Sequence, residues 1–297
     1  MTRTILKWAL PLAALLVAGP LWSLAVGSLR APDGGHDVTF IHSQSIAMSL
    51  LIGLGAFAVA GLLGFIAARL FGPRVGVFVW GLGLLWPAWT TGRMGVILRT
   101  NPETGVLIML AIEALILGVG AIVGVAFLAR CHDAATHASD DAKRVIPFAH
   151  NFVAQIRDTF RTSAGLVSLA TGAAAALGLA WVIGQTDLRG QALLAAFGAG
   201  IGAAVVGRLV GTSMAKDAPI AATFLAVALA GVLAPLIAIV YPGTNNLASS
   251  VIEHELPGFL ALQPADWAIG LLLGVPTGLS WVGELEHLEP GAKPAKA

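Results

Sequence analysis

Long apolar stretches alternate with short polar joints from one end of this chain to the other, and the positive charge falls almost wholly on alternate joints. A span of the bilayer needs about 20 mostly apolar residues. On that rule the sequence predicts eight helices, near 7–29, 44–69, 74–98, 104–129, 163–184, 190–211, 218–241 and 260–282. Membrane β-strands would alternate apolar and polar residues with period two over about ten residues, a pattern missing here. The expected fold class is therefore all-α, a polytopic membrane bundle.

Composition agrees. Hydrophobic residues make up 57% of the 297, and charged ones 11%, against about 25% in a soluble domain. A globule of that size could not keep so much apolar surface from water. The net charge of +1 gives no argument for nucleic acid, which is not expected as a partner, and the single Cys131 excludes an internal disulfide.

Basic residues set the expected threading. With the N-terminus inside, the inner segments hold Arg3, Lys7, Arg69, Arg74, Arg130, Lys143, Arg144, Arg157, Arg161, Arg208, Lys216, Lys293 and Lys296. The outer ones hold Arg30, Arg93, Arg99 and Arg189. Thirteen against four places both termini on the cytoplasmic side. The short loops suit a bacterial cytoplasmic (inner) membrane. The first helix carries Arg3 and Lys7 before an apolar run longer than a signal-peptide core of about 7–15 residues, so a retained anchor is expected rather than a cleaved signal.

The longest joint, 130–162, divides the chain into four-helix halves, 1–129 and 163–282, with a cytoplasmic tail at 283–297. Within that joint Phe148, Phe152, Ile156 and Phe160 recur every four residues among Lys143, Arg144, Arg157 and Arg161. This reads as a basic amphipathic helix in the inner interface, or as a plain elbow between the halves. Each half also carries a four-step ladder of small residues: Ala56, Ala60, Gly64 and Ala68 in one, Ala199, Ala203, Gly207 and Gly211 in the other. A proline follows in the next helix of each half, Pro87 and Pro235. These features raise a parallel 4+4 repeat about an axis normal to the membrane, against chance ladders in helices rich in Gly and Ala.

Glu113 is the main candidate for chemistry. It sits about 15 Å below Glu103 at 1.5 Å per residue, in an otherwise apolar run. An ionisable group that deep costs at least about 2.5 kcal/mol and faces protein or water. Arg93 is the expected partner, reaching down along its stem from the outer end of the third helix. Beside Arg93, the stretch Pro87–Thr90–Thr91–Gly92 reads either as a helix break lining a site or as a frayed end; Pro235 and Pro276 are further expected kinks. Glu113, Arg93, Thr90 and Thr91 are the candidate transport or ion-coupling residues.

Outside, His36, Asp37, His42, Glu253, His254 and Glu255 offer six donors to a metal, without the spacing of an established zinc signature. Inside, Cys131, His132, Asp133 and His137 raise the same thought, but His132 and His137 miss the helical i, i+4 spacing. No phosphate-binding loop, His-Glu-x-x-His or Gly-x-Ser-x-Gly motif is present, and no cofactor is implied. Three functions compete: a small-solute or ion carrier with a midplane site near Glu113; a non-catalytic subunit or scaffold packed through its small-residue ladders against other subunits or a second copy; and an intramembrane enzyme. Glu113 alone favours the carrier. The lipid bilayer is the expected partner in every case.

Overall fold

The computed structural model describes residues 2–136, 151–215, 218–241, 249–250 and 256–287. Among them every regular element is helical. In chain order the elements are α1 (Thr2–Ala13), a π-helical turn (Ala14–Ala18), α2 (Gly19–Gly27), α3 (Ile46–Phe71), α4 (Pro73–Thr90) and α5 (Met94–Thr100). There follow α6 (Thr104–Thr136), α7 (Phe152–Arg161), α8 (Ser163–Ile183), α9 (Arg189–Met214) and α10 (Ala221–Val240). A short 3₁₀ turn (Gly258–Ala261) leads to α11 (Pro264–Ile269), a second π-helical turn (Gly270–Gly274) and α12 (Val275–His287).

Seven helices are long and apolar enough to cross a membrane, the last running from Pro264 to Gly283. The chain is a multi-pass membrane protein. The departure from eight lies at 74–98, where one continuous helix was expected. Thr91 and Arg93 adopt extended backbone and divide the stretch into α4 and α5. At 18 residues, α4 is short, and its Arg, Pro and Trp residues dilute its apolar character.

Local signals set the element ends. Ser45 caps α3 by accepting from the Met48 N–H, and Thr162 caps α8 by accepting from the Gly165 N–H. Pro73 and Pro264 stand at first helical positions, where no N–H is required. A single residue, Gly72, turns α3 into α4 at φ 99°, a conformation that other residues avoid.

Packing rests on small residues, as expected between helices in lipid. A Cβ on Gly64 would sit 2.7 Å from the Gly76 carbonyl oxygen, so α3 and α4 touch backbone to backbone. In α9, Gly207 lies against the Ser168 carbonyl of α8, while Gly200 meets Gly270 and Gly274 of the last span. Both ladders are therefore buried within this chain. Their parts differ: the first faces the helix that follows it, the second the helix that precedes it.

The described part of the amphipathic segment is α7; Lys143, Arg144 and Phe148 lie outside the described residues. Phe152 is buried edge-on against Phe224 of α10, with ring centroids 5.6 Å apart. Ile156 also packs on the core, and Phe160 is exposed. The apolar edge of α7 thus packs on the bundle at Phe152 and Ile156.

Candidate functional site

Glu113 is buried two and a half turns into α6. What meets it there is the connection between α2 and α3, not a helix. The Phe40 N–H donates to Oε1 at 3.2 Å and the Ile41 N–H to Oε2 at 2.9 Å. Irregular backbone at such depth is tolerated only where protein satisfies it, and Glu113 supplies the acceptors for two successive amides. Thr39 Oγ1 accepts in turn from the His42 N–H, and Ser43 and Ser49 join through their hydroxyls. Phe40 seats its ring against Gly53 of α3. It borders a small apolar cavity of about 30 Å³ shared with Leu117 and Pro87.

Arg93 is not the partner of Glu113. Its guanidinium lies 3.7 Å from Asp37, and its backbone N–H donates to the same carboxylate at 2.6 Å. The expected Glu113–Arg93 pair fails because α4 ends at Thr90: beyond the break the chain no longer descends as a helix, and Arg93 stays at the rim, half exposed. Among the described residues no ion pair reaches Glu113.

The break at Thr91–Arg93 is braced from three directions. The Gly92 N–H donates to the Val38 carbonyl at 3.0 Å, and the Gln263 amide donates to the Gly92 carbonyl. No Cβ fits at Gly92, because the Asp37 backbone already occupies the space. Arg189, at the start of α9, reaches the Ala88 carbonyl and the Thr91 hydroxyl, which hold the last turn of α4. Thr90 and Thr91 donate their hydroxyls to carbonyls of their own helix, at Trp86, Pro87 and Ala88.

Arg189 also forms a two-pronged ion pair with Asp266 in the first turn of α11. Asp266 is fully buried and accepts from the Gln263 N–H at 2.8 Å, while its own N–H donates to the Gln263 carbonyl. Sequence reasoning passed over this pair. The signal was present: Asp266 is an acidic residue inside the expected span 260–282, and the rule that selects Glu113 selects it too. Gln263 is also fully buried, with its Oε1 unpartnered, as is the indole N–H of Trp267.

Among the described residues no three His, Cys, Asp or Glu side chains form a metal-binding group. Asp37 serves Arg93, and His42 Nε2 sits 3.2 Å from the Asn101 amide. Glu253, His254, Glu255 and His137 lie outside the described residues. Burial lowers the His42 pKa from its ordinary value of 6.5, with Asp33 opposing. Pro87 and Pro235 lie inside α4 and α10, and Pro276 follows the π-helical turn of the last span.

At the same end of the bundle a cavity of about 660 Å³ opens between α5, the α8–α9 joint and the 3₁₀ turn, with Arg99, Gln185 and Asp187 in its wall. Comparison with known proteins produced no match: no family model, curated protein or solved structure is detectably similar to this chain.

Proposed function

We propose that this protein is a small-solute or ion carrier in which Glu113 latches the α2–α3 connection across the centre of the bundle. The observation behind it is the manner in which a deep carboxylate is held. Its two amide donors are successive residues of one irregular segment, and among the described residues no cation neutralises it. An ionised carboxylate accepts from both amides. A protonated one must itself donate a hydrogen bond, and near Phe40 and Ile41 it meets N–H groups that cannot accept. Gaining or losing one proton therefore weakens or restores the latch, and the segment it holds lies over the break between α4 and α5. Binding differences of that kind between two states are what coupling requires.

The orientation is proposed with it. Arg30, Arg93, Arg99 and Arg189 belong to the end carrying the α2–α3 connection. Arg69, Arg74, Arg130, Arg157 and Arg161 belong to the other; α4, running back beside α3 to the end that carries Arg189, makes an eighth crossing, so both termini are cytoplasmic under the positive-inside rule, in a bacterial inner membrane.

The experiment uses purified protein in vesicles that enclose a pH-sensitive dye. Proton-coupled flux should be present in the wild type and lose its pH dependence in Glu113→Gln of equal insertion. Unchanged flux in the variant would remove Glu113 from the mechanism. No flux in the wild type would favour the second reading, a non-catalytic subunit of a larger membrane assembly. That reading has its own support, since the groups around Glu113 are hydrogen-bonded as a structural brace would be. Mild purification at endogenous level tests it: stoichiometric foreign subunits would sink the carrier. The small-residue ladders no longer bear on it, being spent inside the chain.

A further inference from the structure

Farther along α3 from Gly53, where Phe40 is seated, a groove of about 620 Å³ runs between α3 and α6. Its floor is the Trp80 indole of α4, whose N–H already donates to the Phe57 carbonyl at 3.0 Å. No polar atom of the floor therefore awaits a partner. Gly61 and Gly124 keep it open: a Cβ at 124 would run into the Trp80 ring. The rims are Leu62, Val123 and Phe127, all exposed and all within membrane-spanning segments. From Phe57 to Phe65 the groove follows about 12 Å of helix, at 1.5 Å per residue.

One end of this apolar groove is charged. The Arg69 guanidinium lies 5.4 Å from the centre of the Phe65 ring, and Phe65 in turn lies 5.9 Å from Phe127. Arg69 sits in the last turn of α3, and Arg130 lies three residues beyond Phe127 on α6, also exposed. Among the described residues neither is paired with an acid. A hydrocarbon slot that ends at unpaired arginines at the membrane boundary has the polarity of a lipid: chain first, anion last. A helix from a second copy would fill the slot but would leave these charges unanswered.

We propose that one anionic phospholipid binds here, with an acyl chain along the Trp80 floor and its phosphate on Arg69. The proposal is independent of the carrier reading, because the groove and Glu113 share no residue. Native mass spectrometry of the full chain, with phosphatidylglycerol or phosphatidylcholine of identical chains, tests it. The wild type should hold one phosphatidylglycerol per chain at energies that strip phosphatidylcholine. Gly61→Leu, which fills the slot, should lose that lipid at least tenfold. Arg69→Gln should bind both lipids alike, and Arg69→Lys should restore the preference. Equal retention of the two lipids by the wild type would overturn the proposal, as would phosphatidylglycerol kept by Gly61→Leu, or a dimer without bound lipid. One measurement needs no substitution. Phosphatidylglycerol with a photoreactive group midway along its chain should label residues 57–65 and 120–128 of the wild type, and labelling confined to other helices would equally overturn the site.

Discussion

Arg189 Nη1 and Nη2 meet the two carboxylate oxygens of Asp266 at 2.9 and 2.6 Å, joining the start of α9 to the start of α11 across 77 residues of sequence. Both side chains are nearly or wholly buried. Arg189 also reaches back to the end of α4, so one guanidinium ties three helices together at the broken segment. A planar guanidinium can do this because its donors form a fixed fork, which a lysine lacks.

Removing either partner leaves the other charge buried and unanswered, at a cost of about 3–5 kcal/mol. Asp266→Asn and Arg189→Gln should each lower the thermal midpoint in detergent markedly. The double variant should lose clearly less than the two single losses combined. Additive losses would show that the pair is not an energetic unit. Arg189→Lys should recover little, since it cannot hold both Asp266 oxygens and Ala88 together.

Gly92 is the second test. Its N–H and carbonyl are both engaged, and the Asp37 backbone fills the place of a side chain. Gly92→Ala should destabilise by about 1–3 kcal/mol through overpacking. It should also expose the Val38–Ile41 amides to faster hydrogen exchange. Gly27→Ala is the control, because a Cβ there meets nothing within 4 Å. Equal effects at the two positions would mean that the break is not held by this contact.

His42 supplies a pH test. Its folded-state pKa lies below the unfolded value of 6.5, because burial disfavours the charged ring. The unfolded state therefore binds more protons as pH falls through about 6.5, and stability is lost in that direction. The thermal midpoint should fall as pH drops below about 6.5, and His42→Gln should flatten that part of the profile. An identical slope in both proteins would assign the acid sensitivity to other groups.

Much of the fold was legible because hydropathy is a local property. The expected spans 104–129, 163–184 and 190–211 correspond to α6, α8 and α9, with ends shifted by a few residues where caps or flanking polar residues extend the helix. The depth of Glu113 could be counted along its helix for the same reason. Its partner could not. Counting assumed that 74–98 was one helix, so Arg93 was carried down toward Glu113. Thr91 and Gly92 instead end the helix, held by Val38, Gln263 and Arg189, which lie far away in sequence. Asp266 stands nearer the end of its expected span, 260–282, and its partner Arg189 reads from sequence only as a loop charge.

The sequence by itself determined that this chain lives in lipid, that it is helical, and that Glu113 must be answered by something. Those conclusions follow from the energy of placing apolar and ionisable groups in a bilayer, which depends on residue type and run length alone. Only the tertiary structure decided what answers Glu113, where the fourth helix stops and which helices the ladders join. Each of those depends on the path of connecting segments and the rotation of helices about their axes, set by contacts between residues distant in the chain.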